Sequence, residues 1–240
     1  MNDQGQMLFA TPFSKRYWAL AAKEFKSIRV LAIAAMLTAL RIAIKAISIP
    51  LPFIPNMNIT FGFLVNSVGS MIYGPLVAIA ASAVSDTLGA VLFPQGGVYF
   101  FPFIFVEIAG GLIFALFYYR ARMSALRIIL GRFSVTAVCN FILNPVIMYY
   151  YYQLILGKAY TLYTVPRILK NLVLFPAESV VLVLWLSAIL PATNHFKLTY
   201  TGKSKISFTT RDKIILIVTF GVSVFAIVGY LVYLFNQGKL

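Results

Sequence analysis

Ile28-Arg29-Val30-Leu31-Ala32-Ile33-Ala34-Ala35-Met36-Leu37-Thr38-Ala39-Leu40-Arg41-Ile42-Ala43-Ile44-Lys45-Ala46-Ile47-Ser48-Ile49 is the stretch whose reading decides the fold. As a helix rising 1.5 Å per residue it would be about 33 Å long, enough to cross a hydrocarbon core of about 30 Å. Arg41 and Lys45 interrupt it one helical turn apart and so share a face. A charge near the centre of a spanning helix costs about 3 kcal/mol. That face must therefore look onto other polar groups inside a protein, not onto lipid.

The rest of the chain repeats the pattern. Residues are 61% hydrophobic and 11% charged, with a mean hydropathy of +0.89, against roughly 45–50% apolar and about 25% charged in soluble domains. Further apolar stretches run near 59–73, 75–93, 102–119, 129–152, 168–190 and 214–235. The expected fold is an all-α integral membrane protein with a six-transmembrane-helix core and an extra C-terminal transmembrane helix. The chain divides into a cytoplasmic N-terminal arm (1–27) with a surface helix near Phe13–Phe25, a membrane domain (28–191), a cytoplasmic polar linker (192–213) and the extra helix (214–240).

The formal charge of +14 does not point to nucleic acid, because of where it sits. If the spans alternate, Lys15, Arg16, Lys23, Lys26, Arg29, Arg120, Arg122, Arg127, Arg132, Lys197, Lys203, Lys205, Arg211 and Lys213 fall on one side, and only Lys158, Arg167, Lys170 and Lys239 on the other. The positive-inside rule then places the N-terminus in the cytoplasm. The first 25 residues lack the short apolar core and small-residue cleavage site of a secretory signal. One cysteine, Cys139, and one histidine, His195, leave no material for disulfides, zinc quartets or Cys/His and Ser/His nucleophile pairs. No metal site and no cofactor is expected, and His195 reads as a solvated loop residue.

Apart from the residues counted on the basic side, seven ionisable residues lie within or at the edge of the apolar stretches: Arg41, Lys45, Asp86, Glu107, Arg167, Lys170 and Glu178. Counting rise along each helix puts the first six in the outer half of the bilayer and Glu178 nearer the middle. Four bases against three acids suit an anion. Asn66, Gln95, Asn140, Asn144 and Asn171 add amide donors and acceptors for the edge of a heterocycle, and 21 Phe with 14 Tyr could sandwich a flat ring. Asp86 or Glu107 taken singly is as well explained by an internal ion pair or an interhelical hydrogen bond. Two outward connections, Ser48–Asn58 with three prolines and Phe93–Pro102 with Gly96-Gly97, are apolar and stiff enough to read as lids.

At this point the chain resembles the substrate-binding S components of energy-coupling factor (ECF) vitamin transporters, and among them the folate type. The resemblance is carried by Ile59-Thr60-Phe61-Gly62-Phe63, Gly69 with Tyr73-Gly74-Pro75, Ser85-Asp86-Thr87-Leu88-Gly89, Phe93-Pro94-Gln95-Gly96-Gly97, Pro166-Arg167-Ile168-Leu169-Lys170-Asn171 and Phe175-Pro176-Ala177-Glu178. Coverage runs from about Ala32 to Leu190. Val65 departs from the proline common after Gly-Phe, Gln95 from a threonine in the second loop, and the seventh span from the six-helix plan.

The resemblance implies a non-enzymatic subunit of a bacterial cell membrane. It would capture folate or a related vitamin outside and deliver it with a transmembrane scaffold subunit and two ATPase subunits. The substrate-binding residues so expected are Arg41, Lys45, Phe61, Asn66, Asp86, Gln95, Tyr99, Glu107, Arg167, Lys170 and Asn171. An Ala-x-x-x-Ala face supplied by Ala35 and Ala39, with Ala32 on the same stripe, is expected to meet the scaffold, since small residues let helices approach closely in lipid. The alternatives are an S component for a different anionic or heteroaromatic vitamin, or a membrane scaffold or enzyme.

Overall fold

The computed structural model describes residues 11–46, 49–50, 58–93, 98–163, 165–199, 206 and 210–236. Helix α1 (Lys15–Glu24) starts at Ser14, whose Oγ accepts the Tyr17 amide at 3.2 Å, and it meets α2 (Ile28–Ala46) at a bend of 79°. Tyr17, Ala21 and Glu24 recur at i, i+4 and i+7, and all three are buried. The expected surface helix is therefore seated on the bundle along one face. After α2, Ile49–Pro50 (β1) pairs antiparallel with Asn58–Ile59 (β2), a two-residue ladder that closes the first expected outward connection.

Helix α3 (Gly62–Leu92) is broken at Gly74, whose φ of 74° is open to glycine and hostile to any β-carbon. A side chain there would also come within 3.0 Å of the Tyr119 ring. Pro75 follows and cannot extend the first arm, having no amide hydrogen. The two arms fold back on each other. Arg41 donates to Asn66 Oδ1 in the first arm at 3.3 Å and to Ser82 Oγ in the second at 3.0 Å, whereas a straight helix would hold those residues about 24 Å apart. The separate stretches 59–73 and 75–93 are thus two antiparallel arms.

Helix α4 (Phe103–Tyr118) crosses both arms at close range. Gly111 allows this: a β-carbon would sit 2.4 Å from Ser82 Oγ and 3.2 Å from the Ala78 carbonyl. Next comes a long composite helix, α5 (Ala125–Val135), a π-helical segment (Thr136–Leu143), α6 (Asn144–Tyr151) and a second π turn (Tyr152–Leu156). Pro145 explains the widening, because it has no amide hydrogen for the Phe141 carbonyl that a regular helix would pair with it. The Tyr163 hydroxyl donates to that carbonyl instead, at 2.9 Å.

Helices α7 (Val165–His195) and α8 (Thr210–Asn236) complete the described chain. Phe114, Tyr118, Ile128, Leu182, Val183 and Leu186 form the main core, and α8 lies along α7. His195 ends α7 exposed, as expected. Among the described residues three helical stretches are long and apolar enough to cross a membrane, Gly62–Leu92 if its two arms are counted together, Ala125–Leu156 and Lys170–His195, with a fourth if the bent α1–α2 pair counts as one span.

Two basic residues depart from the expected distribution. Arg132 is counted with the basic connection in the sequence, at the start of the 129–152 stretch, yet α5 begins at Ala125 and carries Arg132 two turns into the bundle, where it is buried. Arg120 is buried too, held at a φ of 51° beside Glu24 and Tyr119.

Candidate ligand-binding site

A cavity of about 760 Å³ opens among α2, both arms of α3, α4, the composite helix and α7. All seven ionisable residues of the apolar stretches line it. Arg132 joins them, so five bases face three acids. Of the expected binding residues, Arg41, Lys45, Asn66, Asp86, Tyr99, Glu107, Arg167, Lys170 and Asn171 are on its wall. Phe61, which only precedes α3, is not among the lining residues; its neighbours Thr60, Gly62 and Phe63 are. Gln95 lies outside the described residues, as do 51–57 of the first expected lid and the Gly96-Gly97 hinge of the second.

One end of the cavity is electrically closed. Arg41, buried to 5% exposure, pairs with Glu107 Oε2 and holds Asn66 and Ser82. One turn further, Lys45 Nζ lies 3.3 Å from Asp86 Oδ1 and 3.2 Å from Glu107 Oε1. Tyr99, in the segment before α4, donates to Asp86 Oδ2 at 3.2 Å. Desolvation raises the Tyr99 pKa; a hydrogen bond with Thr87 opposes this and the Asp86 charge reinforces it. The phenol keeps its proton and remains a donor.

The opposite end is built from the composite helix and α7. Asn140, on the π segment, donates to Asn171 Oδ1 at 2.8 Å, and Asn171 Nδ2 donates to the Arg167 carbonyl at 2.9 Å. π segments recur at functional sites because they turn side chains off the regular helical register; here Cys139 and Asn140 reach the cavity from one. Arg167 Nη1 is buried without a hydrogen-bond partner among the described residues, its guanidinium 5.6 Å from the Tyr160 ring centre. Lys170 stands one turn along, on the same face. Deeper, Arg132 pairs with Glu178 and lies 4.6 Å over the Phe63 ring.

Aromatic residues also line the wall. Phe100, Phe103 and Tyr151 form a cluster with ring centres 5.6–6.2 Å apart, and Phe93 and Phe114 also contribute. The arrangement offers aromatic faces set at 58–77° to one another, amide groups and a net positive lining. Sequence reading missed the base of this site, Arg132, although Ser124, a capping residue whose Oγ accepts the Arg127 amide at 3.3 Å, marks the true start of α5. It also gave no position to the ring cluster, which three separate elements assemble.

Outside the cavity, Ala32, Ala35 and Ala39 lie on an exposed face of α2 with Leu31, Met36 and Leu40. That face turns away from Arg41.

A family model described as the S component of the ECF-type riboflavin transporter matches residues 25–190. A relative described as folate transporter FolT of Clostridium novyi (strain NT) is 32% identical over 128 residues, 53% of this chain and 72% of that protein. Another so described, from Leuconostoc mesenteroides subsp. mesenteroides, is 27% identical over 124 residues, 51% of this chain and 66% of that one. A crystal structure of FolT bound with folic acid superposes with a TM-score of 0.54 at 30% identity, covering 64% of this chain and 89% of the other. The fold, the cavity lined by ionisable residues and these likenesses agree: the chain is a multi-pass membrane protein and belongs to the S-component family of ECF-type transporters.

Proposed function

We propose that the chain binds folate, or a close pterin relative, from outside the cell and hands it inward with a separate ATP-driven module. The observation that carries this reading is the meeting of all seven intramembrane ionisable residues, with Arg132, in one cavity of about 760 Å³. Small-molecule sites span about 300–1,000 Å³, so the volume suits one drug-sized ligand. Folate brings a pterin ring for the aromatic faces and amide groups, and a glutamate tail with two carboxylates for the cations. The names and folic acid complex of the relatives favour this vitamin over riboflavin, which offers a flat ring but no carboxylates.

Not every expected substrate-binding cation is placed to take the tail. Arg41 is already committed to Glu107, Asn66 and Ser82. Arg167, which has a buried nitrogen without a hydrogen-bond partner and, unlike Arg41, no ion pair with an acid among the described residues, and Lys170 beside it are the better anchors. Arg41 then shapes the closed end.

We read the arms of α3 as two spans, and α2, α4, the composite helix and α7 as one each, within a binding domain of residues 28–191. α8 is a seventh span outside the family's matched region. The N-terminus and the 192–213 linker are cytoplasmic, in a bacterial cell membrane. The protein performs no chemistry of its own; a membrane scaffold and two ATPases supply the energy. The exposed alanine face of α2 supports docking of the scaffold there.

Isothermal calorimetry with folic acid and with riboflavin tests the ligand. Folate heat without riboflavin heat is expected; the reverse would reassign the site. Ala39→Trp tests the docking face: it should abolish uptake with the full transporter while leaving folate affinity within about twofold. Unchanged uptake would remove that face from the transport step.

A further inference from the structure

We propose that α1 is an in-plane helix on the membrane surface that gathers anionic lipid headgroups beside the first spanning helix. It lies outside the cavity and, apart from its junction with α2, outside the matched family region, which begins at residue 25. The proposal relies on α2 spanning the bilayer, and on nothing about the vitamin.

Three observations support it. The first is direction: α1 turns 79° from α2, so a helix continuous with a spanning one runs close to the plane of the membrane. The second is attachment. Tyr17 donates to the Ala115 carbonyl at 2.9 Å and meets the Tyr119 ring edge-on at 5.4 Å, while Glu24 accepts from the Tyr119 hydroxyl at 2.9 Å and lies 3.5 Å from Arg120. These contacts fix the rotation of α1 about its axis.

The third is what that fixed rotation displays. Residues are spaced by about 100° around a helix, so Arg16 and Trp18 lie about 200° apart. Two turns on, Lys23 repeats the position of Arg16 and Phe25 nearly that of Trp18, the cap residue Phe25 still being in helical conformation. With Tyr17, Ala21 and Glu24 against the protein, one flank carries Trp18 and Phe25, at 38% and 42% exposure, and the other carries Arg16 and Lys23. Lys15 and Lys26 fill the arc between them and are exposed as well.

The acid and the bases are sorted. Glu24, the only carboxylate of α1, is turned inward and matched by Arg120, leaving an outer surface whose only charges are cationic. The Trp18 indole nitrogen donates to the Pro12 carbonyl at 3.0 Å, so its ring can enter the acyl boundary without a stranded donor. An aromatic flank toward the hydrocarbon and a cationic flank toward the headgroups is the pattern of interfacial helices, and it selects anionic over zwitterionic lipid.

The test uses the full chain in nanodiscs of equal phosphatidylcholine and phosphatidylglycerol, with bromine on the acyl chains of one lipid or the other. Trp18 quenching is taken as the difference from Trp18→Phe, which cancels Trp185. A basic residue near an anionic surface is worth about 1 kcal/mol, or about fivefold. Brominated phosphatidylglycerol should therefore quench Trp18 at least about fivefold more effectively than brominated phosphatidylcholine. The combined variant Lys15→Gln, Arg16→Gln, Lys23→Gln and Lys26→Gln, all exposed positions, should bring the ratio near one.

Equal quenching in the unaltered protein, no quenching by either lipid, or a preference that survives the four substitutions would each overturn the proposal. Nanodiscs expose both faces, so sidedness does not enter. Folic acid binding measured in the same discs reports separately on the proposed function: its loss would count against the ligand and leave the lipid ratio standing.

Discussion

The two ends of the cavity use the same residue types to different effect. At the α2–α4 end, Arg41 and Lys45 are matched by Glu107 and Asp86, and the charges cancel within the protein. At the α7 end, Arg167 buries a guanidinium nitrogen with no partner among the described residues. Arg41 Nε also lacks a hydrogen-bond partner among the described residues, so what separates the ends is the ion pair. Buried charges are tolerable only when paired: Arg41 has Glu107, and the charge of Arg167 is left for a ligand anion. Ionisable residues inside a membrane mark both stability and binding, and only the pairing pattern tells them apart.

The largest effect should come from breaking the closed end. Arg41→Ala removes the partner of Glu107 and the donor to Asn66 and Ser82, leaving Glu107 with Lys45 alone. Removing one member of a buried pair costs about 3–5 kcal/mol. Because Glu107 keeps 30% of its side-chain surface, the lower figure applies. Thermal unfolding in detergent should show a marked drop without ligand, and Arg41→Met with Glu107→Leu should recover much of it. An unchanged melting temperature in Arg41→Ala would mean that this end is not held by its charges.

Next in size is the open end. Arg167→Ala should leave the unliganded melting temperature near its starting value and weaken folate binding by about 1.5–3 kcal/mol, the usual worth of a hydrogen bond to a charged group. A pterin without the glutamate tail should lose little, having never touched this residue. Calorimetry with both ligands separates the cases. Equal losses would make Arg167 a structural residue like Arg41, and the contrast between the ends would disappear.

The helices were legible because lipid permits few alternatives: long apolar runs must be helical, and Gly74-Pro75 punctuates two of them. The ionisable residues of the site were legible for the same reason, since charge in such runs needs an interior. What periodicity could not give was pairing. That Arg41 faces Glu107 while Arg167 faces none of the described acids depends on helix rotations set by contacts such as Gly111 against Ser82 and Ala78. Arg132 was hidden by its neighbours Arg122 and Arg127, which look like one solvated basic loop until Ser124 is taken as a cap. Burial of Glu24 was equally illegible, its partner Arg120 being distant in sequence.

The smallest predicted effect tests how the open end is held in place. Asn140 does not need to touch the ligand: its amide nitrogen supports Asn171, which in turn grips the Arg167 carbonyl. Asn140→Ala should weaken folate binding by about 1 kcal/mol, the typical value of a neutral hydrogen bond, by loosening that chain of contacts. If Asn140 acts through Asn171, the double variant with Asn171→Ala should bind no worse than Asn171→Ala alone, a coupling that a double-mutant cycle measures directly. Strictly additive losses would show instead that each amide meets the ligand on its own. Asn140 would then be a contact residue of the pterin edge, and the open end would rest on α7 without help from the π segment.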